Sequence, residues 1–235
     1  MTAQPPDDLA RLRREYAARR QRLAGTDRYS LANPAHLFAI QQRKRAVLRL
    51  LRHQGFPSLA GRAILELGCG SGGVLAEYLS YGANAPLLHG VDLLPARLNE
   101  ARHWLPRLPL ACANGRHLPY PDGSFDLVLQ YTAFSSLLDA ELKAGLAREM
   151  VRLLRRPAGM ILWYDFWLNP TNRQTQGLRP AEIKQLFPGC RFEFRRITLA
   201  PPLARRLVPF SWLLAGLVEK LGLLNSHYLV AIRPG

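Results

Sequence analysis

The stretch Glu66-Leu67-Gly68-Cys69-Gly70-Ser71-Gly72-Gly73 decides the reading of this chain. A short apolar run, 63–67, leads directly into a cluster of four glycines, and a helix-favouring stretch follows from Gly73. Glycine lacks a Cβ, so the backbone can turn sharply and a ligand can lie against the main chain. The start of the helix presents free N–H groups and the positive end of its dipole. A strand, a tight glycine turn and a helix in that order form the first unit of a parallel α/β sheet. The ligand crevice of such a sheet lies at the C-terminal ends of its strands.

Outward from this unit, short apolar runs alternate with helical stretches, the pattern of a parallel sheet wrapped by helices. Candidate strands are 63–67, 87–92, 108–114, 125–131, 160–164, 191–198 and 227–233; candidate helices between them are 73–79, 95–104, 139–154 and 180–186. Upstream, residues 7–24 form a basic helix-favouring segment carrying Leu9, Leu12, Tyr16 and Leu23. A second helix starts at Pro34, runs through Phe38, Ile40 and Val47 to about His53, and ends at Gly55. An extra apolar segment, 207–224, falls between the last two strands. The expected organisation is an N-terminal helical cap over 1–58 and an α/β domain over 59–235, with an insertion at 201–224.

Composition narrows the setting. At 235 residues and 48% hydrophobic, the chain can bury a full core. Cys69, Cys112 and Cys190 have neither paired nor metal-ligand spacing, which points to a reducing compartment and to no metal site. Residues Met1 to Ala10 are polar and do not read as a signal peptide. No apolar run reaches the length of a membrane span, so a cytoplasmic location is expected. The net charge of +15 is supplied mostly by arginine, and residues 1–62 hold 13 Lys/Arg against four Asp/Glu. A nucleic-acid, phosphate or anionic-membrane partner fits that excess, and so does a solvated arginine-rich surface. Charge alone does not decide between them.

The glycine loop by itself admits two ligands. Gly68, Gly70 and Gly73 match G-x-G-x-x-G, the dinucleotide fingerprint. Asp92, at the end of the second strand, suits any ligand whose ribose hydroxyls want a carboxylate. Glu66 separates the readings: two residues before the first glycine, it repels a pyrophosphate and attracts an amino-acid ammonium. A further discriminator is Asn114-Gly115-Arg116-His117-Leu118-Pro119-Tyr120-Pro121-Asp122-Gly123-Ser124-Phe125-Asp126-Leu127-Val128, just ahead of the fourth strand. The chain also closes with a hairpin-like pair of strands rather than a second nucleotide-binding half.

Taken in order over roughly residues 60–170, these stretches resemble the class I S-adenosylmethionine-dependent methyltransferases, particularly the group that includes the ubiquinone and menaquinone biosynthesis enzymes. Residues 64–72 resemble their first motif, Val91-Asp92 their ribose-binding acid, and 118–128 their "LPFPDxSFDLV" stretch. Arg148-Glu149-Met150-Val151-Arg152-Leu153-Leu154 through Ile161-Leu162 is similar to their "E-x-x-R-v-L-k-P-G-G-x-l" segment. The resemblance implies a Rossmann-like, doubly wound, seven-stranded sheet with an antiparallel last strand, and S-adenosylmethionine as cofactor. Glu66, Gly68, Gly70, Ser71 and Gly72 would border the methionine part, Asp92 the ribose hydroxyls and Leu93 the adenine ring. Asn114 stands where the family usually has the aspartate that reads the adenine amino group; its amide oxygen still accepts a hydrogen bond. Gly115 follows it, and Gln130 would lie near the methionine portion. Arg155-Arg156-Pro157-Ala158-Gly159 replaces the usual lysine-proline-glycine-glycine turn, an exchange expected to be a harmless surface change.

The same topology implies where the chemistry falls. Tyr131 ends the fourth strand, Tyr164 and Asp165 end the fifth, and His227 and Tyr228 start an antiparallel last strand, so all face the crevice. His227, with a near-neutral reference pKa, is the leading general base, followed by Asp165 and Tyr131. Gln130-Tyr131-Thr132-Ala133 replaces an Asn-Pro-Pro-Tyr-like motif, which disfavours amino-methylation of adenine or cytosine. No cysteine follows the fourth or fifth strand, which disfavours the covalent route to cytosine C5-methylation. O-methylation of a small-molecule acceptor (a sugar, isoprenoid or polyketide-like compound) is the expected reaction, with N-methylation open. An RNA methyltransferase using the basic N-terminal region, and a non-catalytic or NAD-binding Rossmann protein, are the alternatives.

The acceptor pocket is expected from the additions to the core: residues 1–55, the loop 166–175 and the segment 201–224. Val208, Phe210, Trp212, Leu213, Leu214, Leu217, Val218 and Leu221 make the last too apolar for a solvated helix. It reads first as a lid or homodimer contact, second as a peripheral membrane contact through 207–224, helped by Arg205 and Arg206, and last as ordinary core packing. Tyr29, Phe38 and Gln42 are placed to close over the cofactor. Arg43, Arg45, Arg195 and Arg196 read first as solvated and second as holders of an anionic acceptor, and Arg11, Arg13, Arg14, Arg19, Arg20 and Arg22 as the exposed face of a surface helix.

Overall fold

Four apolar runs become the buried centre of the sheet. β1 (Ile64–Leu67), β2 (Leu88–Asp92), β4 (Leu127–Tyr131) and β5 (Met160–Phe166) are almost wholly buried, as strands covered on both faces must be. β3 (Leu110–Cys112) is a shorter, half-exposed edge strand. β6 (Cys190–Leu199) and β7 (Asn225–Pro234) complete a seven-stranded sheet in the order β3-β2-β1-β4-β5-β7-β6. β1 to β5 run parallel, and β7 runs antiparallel between β5 and β6. This is the expected doubly wound sheet with its antiparallel last strand. The order reverses between β1 and β4, so the crevice opens at the ends of those two strands.

The computed structural model describes residues 8–23, 25–115, 117–169 and 174–235, without the side chains of Asp8, Leu9 and Arg20. Met1 to Asp7 of the polar N-terminal stretch, Arg116 and residues 170–173 of the 166–175 loop therefore lie outside the described residues.

Alternation along the strands sends side chains to two cores. On one side, Leu129, Leu162 and Leu229 meet Val47, Leu50 and Leu51 of α2 (Pro34–His53) and Leu75 and Tyr78 of α3 (Gly73–Ser80). On the other, Val128, Trp163 and Val230 meet Met150 and Leu153 of α5 (Ala140–Leu153) and Ile183 of α6 (Pro180–Leu186). α2 starts as its sequence dictates, with Pro34 in the first turn and the Asn33 side chain accepting from the Ala35 and His36 amides. Asp139 caps α5 in the same way.

The two downstream motifs hold each other. Glu149 accepts from the Leu118 amide at 3.0 Å and from Arg152 at 2.7 and 2.8 Å, while Arg152 also reaches Asp122 at 2.7 Å and the Tyr120 carbonyl at 2.9 Å. Arg155 donates to both carboxylate oxygens of the buried Asp126 at 2.9 and 3.0 Å. The turn expected to be a harmless surface change is thus tied to the base of β4, because Asp126 also accepts from the Ala63 amide ahead of β1.

The 201–224 segment splits into α7 (Pro201–Leu207) and α8 (Trp212–Lys220), the latter capped by Ser211. Ala204, Val208 and Ala215 pack with Ala35, Phe38 and Leu199, closing a small third core against α2. Among the described residues, no helix is long and apolar enough to cross a membrane.

Candidate functional site

The glycine turn takes the conformation that only glycine adopts freely. Gly68, Gly70 and Gly72 have φ of +71°, +55° and +83°. The Gly68 and Cys69 amides donate to the Val91 carbonyl at 2.8 and 3.0 Å, which pins the turn to the end of β2. Asp92 is buried; its two oxygens accept from the Gly70 and Leu94 amides at 2.8 and 2.9 Å. One carboxylate therefore fixes both the glycine turn and the start of α4 (Pro95–Trp104). Ser71 donates to Glu100 at 2.9 Å, on the outer side of the crevice.

Glu66 is the electrostatic centre. It is buried, and its Oε2 has no hydrogen-bond partner among the described residues. Burial, reinforced by Glu77 and Asp92, pushes its pKa up to about 8, against the pull of Arg43 and Arg97. A buried acid short of a partner beside N–H groups and a buried aspartate fits a ligand bearing both a cation and ribose hydroxyls. A cation beside the acid favours its ionised form, which opposes a pyrophosphate. The chemistry of these residues suits S-adenosylmethionine: Glu66 and the 68–72 backbone would hold its amino-acid part and Asp92 its ribose. Leu93 is half-buried just beyond Asp92, Asn114 is exposed after β3, and Gly115 takes a φ of +77° next to Leu146. Arg97, unnoticed in the sequence, lies 4.0 Å from Asp92 and under the Tyr16 ring, filling the space where a Cβ on Gly70 would stand.

Beyond β4 and β5 lies a second group. Arg43 pairs with Glu77 at 2.5 Å and stacks over the rings of Tyr131 and Tyr164, 5.4 and 5.5 Å from their centroids. The expectation of a solvated Arg43 is therefore corrected: the arginine is only slightly exposed because α2 delivers it to two aromatic faces and a carboxylate of α3. Arg45 is exposed as expected, Arg195 pairs with Glu193, and Arg196 lies over Trp167 at 4.4 Å. Tyr131 bonds Tyr78 at 3.1 Å, and burial raises its pKa well above the ordinary value. Tyr164 bonds Thr198 at 2.9 Å.

His227 joins this group through the register that pairs it with Phe166. Its ring stacks on Tyr164 at 4.6 Å and meets Phe166 at 3.9 Å, and its Nδ1 lies 2.9 Å from the Ser226 hydroxyl. Burial, then Arg43, holds its pKa down to about 3, far from the near-neutral value expected of a general base. Asp165 points the other way. It accepts from the Ser135 and Phe166 amides at 3.0 and 2.8 Å, and burial pushes its pKa up to about 6. Gln130, fully buried, lies on that side too, its amide oxygen accepting from Ala133 at 3.0 Å. His227, Tyr164 and Tyr131 thus come together, and Asp165 with Gln130 forms a separate bonded support for the 132–136 turn. Strand alternation, which sets neighbouring residues on opposite faces, is the reason.

A cavity of about 1160 Å³ adjoins this aromatic group. Its wall includes Thr132, Tyr164, His227, Arg43 and, from α1 (Asp8–Leu23), Tyr16 and Arg19. α1 is accordingly more than a surface helix: Leu12 is buried, and Arg11 donates to the Ser136 carbonyl at 2.6 Å. Glu77, Tyr78 and Thr198 escaped sequence reasoning because their partners lie far along the chain. Arg97 alone had a readable signal, its place in the first turn after Asp92.

The sheet order is that of the class I S-adenosylmethionine-dependent methyltransferase fold, with Glu66, the glycine turn and Asp92 at its crevice. Residues 64–158 match the family described as "Methyltransferase domain". The chain is 37% identical over 122 residues to phthiotriol/phenolphthiotriol dimycocerosates methyltransferase 1 of Mycobacterium ulcerans, covering 48% of this chain and 40% of that one. It is 31% identical over 168 residues to a probable S-adenosylmethionine-dependent methyltransferase of Mycolicibacterium smegmatis, covering 65% and 58%. The match thus spans about two-fifths of the first of these relatives and under two-thirds of the second. In fold, it is similar to the Burkholderia thailandensis 1,6-didemethyltoxoflavin-N1-methyltransferase, with a TM-score of 0.63, 16% identity and coverage of 100% of this chain and 93% of that one.

Proposed function

We propose that the chain transfers a methyl group from S-adenosylmethionine to an oxygen of a small-molecule acceptor seated in the 1160 Å³ cavity. The observation that carries the reading is the meeting of that cavity with Tyr164 of β5 and His227 of β7, on the same edge of the sheet as the glycine crevice. The cofactor supplies an electrophilic methyl on a sulfonium. The protein's task is to hold a nucleophile in line with it, and positioning of this kind can lower a barrier by about 7–11 kcal/mol. His227 is neutral near pH 7 and suited to accept a hydrogen bond from the acceptor hydroxyl. That hydroxyl's proton would pass to solvent in the cavity as the oxygen–methyl bond forms and the methyl–sulfur bond breaks to leave a neutral thioether. The low basicity of His227 makes orientation its larger contribution. Leu168, Leu223 and Leu224 on the cavity wall favour an isoprenoid or polyketide-like acceptor over a sugar, and the name of the M. ulcerans relative points the same way.

Methyl-labelled S-adenosylmethionine offered with isoprenoid phenols, polyketide-like phenols, sugars and RNA, with products read by mass spectrometry, tests this. Label on a hydroxyl of an apolar acceptor is expected, with turnover about tenfold or more lower in His227→Ala and cofactor affinity unchanged. Label on RNA alone, or only on nitrogen, would overturn the assignment.

A further inference from the structure

α8 carries its apolar residues on the wrong side for a helix that faces water. Ala215 is fully buried and Val218 packs inward, as the third core requires. The outer face should then be polar. Instead Phe210, Leu213, Leu217, Leu221 and Leu223 are exposed by 83, 75, 55, 72 and 73%, with Trp212 and Leu224 beside them. Their spacing of three or four residues from 210 to 221 places them along one outward stripe. A contiguous exposed patch of large apolar side chains marks an interaction surface.

The charges around the stripe select its partner. Arg205, Arg206 and Lys220 are exposed at its edges. The only acid in 201–224 is Glu219, which turns inward and accepts from the Thr198 amide at 3.0 Å. Within the 201–224 segment, the exposed charges beside the apolar patch are therefore all cationic. A second copy of the chain, bringing the same patch in a two-fold contact, would set cations against cations. An anionic bilayer supplies the complement to both parts: acyl chains for the stripe and phosphates for the rim.

We propose that α8 and the 221–224 turn dock the protein on an anionic phospholipid surface. The cavity opens at the same place. Leu223 and Leu224 belong to both the stripe and the cavity wall, joined there by exposed Tyr29 and Leu168 and by Arg28 and Arg205. Docking would seat the cavity mouth on the bilayer, giving an apolar acceptor a path that avoids water. The proposal stands apart from methyl transfer, since binding is read without turnover.

Co-sedimentation of the full chain with phosphatidylcholine vesicles, with and without phosphatidylglycerol, tests it. Binding to the anionic vesicles is expected, weakened by salt. Leu213→Asp and, separately, Arg205→Glu with Arg206→Glu should each reduce it about tenfold, with melting unchanged because these side chains are exposed. Absence of binding to anionic vesicles, equal binding by Leu213→Asp, or a concentration-dependent dimer that Leu213→Asp dissociates would overturn it.

Discussion

Glu66 sits in the crevice as a carboxyl that burial keeps protonated near neutral pH. A cationic ligand group beside it favours the carboxylate, so cofactor binding below pH 8 should release a proton and tighten as pH rises toward that value. Without ligand the sign runs the other way. The protonated carboxyl favours the folded state; its contribution is complete below the ordinary value of 4.5 and is lost as pH rises through about 8. Glu66→Gln should abolish the proton release, flatten the stability profile over that window, and weaken cofactor binding by about tenfold. Calorimetry in buffers of different ionisation enthalpy measures the first, and urea unfolding across pH the second. Unaltered proton release in the variant would rule out Glu66 as its source. This residue was legible in sequence from its place two positions before Gly68. The low pKa of His227 was not, because it depends on Tyr164, Phe166 and Arg43 closing round the ring.

Elements were legible wherever local pattern decides them. α4 and α6 begin and end as their prolines and apolar spacing predict, and α5 begins one residue after its cap, Asp139. β3 is shorter than its apolar run because it lies at the sheet edge with one neighbour. The apolar 201–224 segment gave no hint of two helices, since its boundaries depend on packing against α2. Contacts between elements were the hidden layer. Arg43 on α2 and Glu77 on α3, 34 positions apart, join those helices through a pair shielded from water. Removing one partner strands the other's charge, so Arg43→Ala should destabilise the fold by about 3 kcal/mol, read by urea unfolding. A change within about 0.5 kcal/mol would mark the pair as solvent-screened.

At the scale of the molecule, the sequence already contained the sheet, its antiparallel close and the position of the crevice between β1 and β4. Its charge did not reveal where the arginines go. Some turn inward, as Arg43 and Arg11 do, and others ring the apolar face of α8. The cavity was legible in part: most of its wall comes from the additions named in sequence, 1–55, 166–175 and 201–224, while Thr198, Leu199 and His227 of the last two strands join them only in three dimensions. The central claim, that the glycine crevice holds a methyl donor and not a dinucleotide, rests on Glu66 set against Asp92 across the turn. Titration calorimetry of the full chain with S-adenosylmethionine and with NAD tests it most directly. Saturable binding of S-adenosylmethionine with no heat from NAD is expected; saturable binding of NAD without binding of S-adenosylmethionine would contradict it.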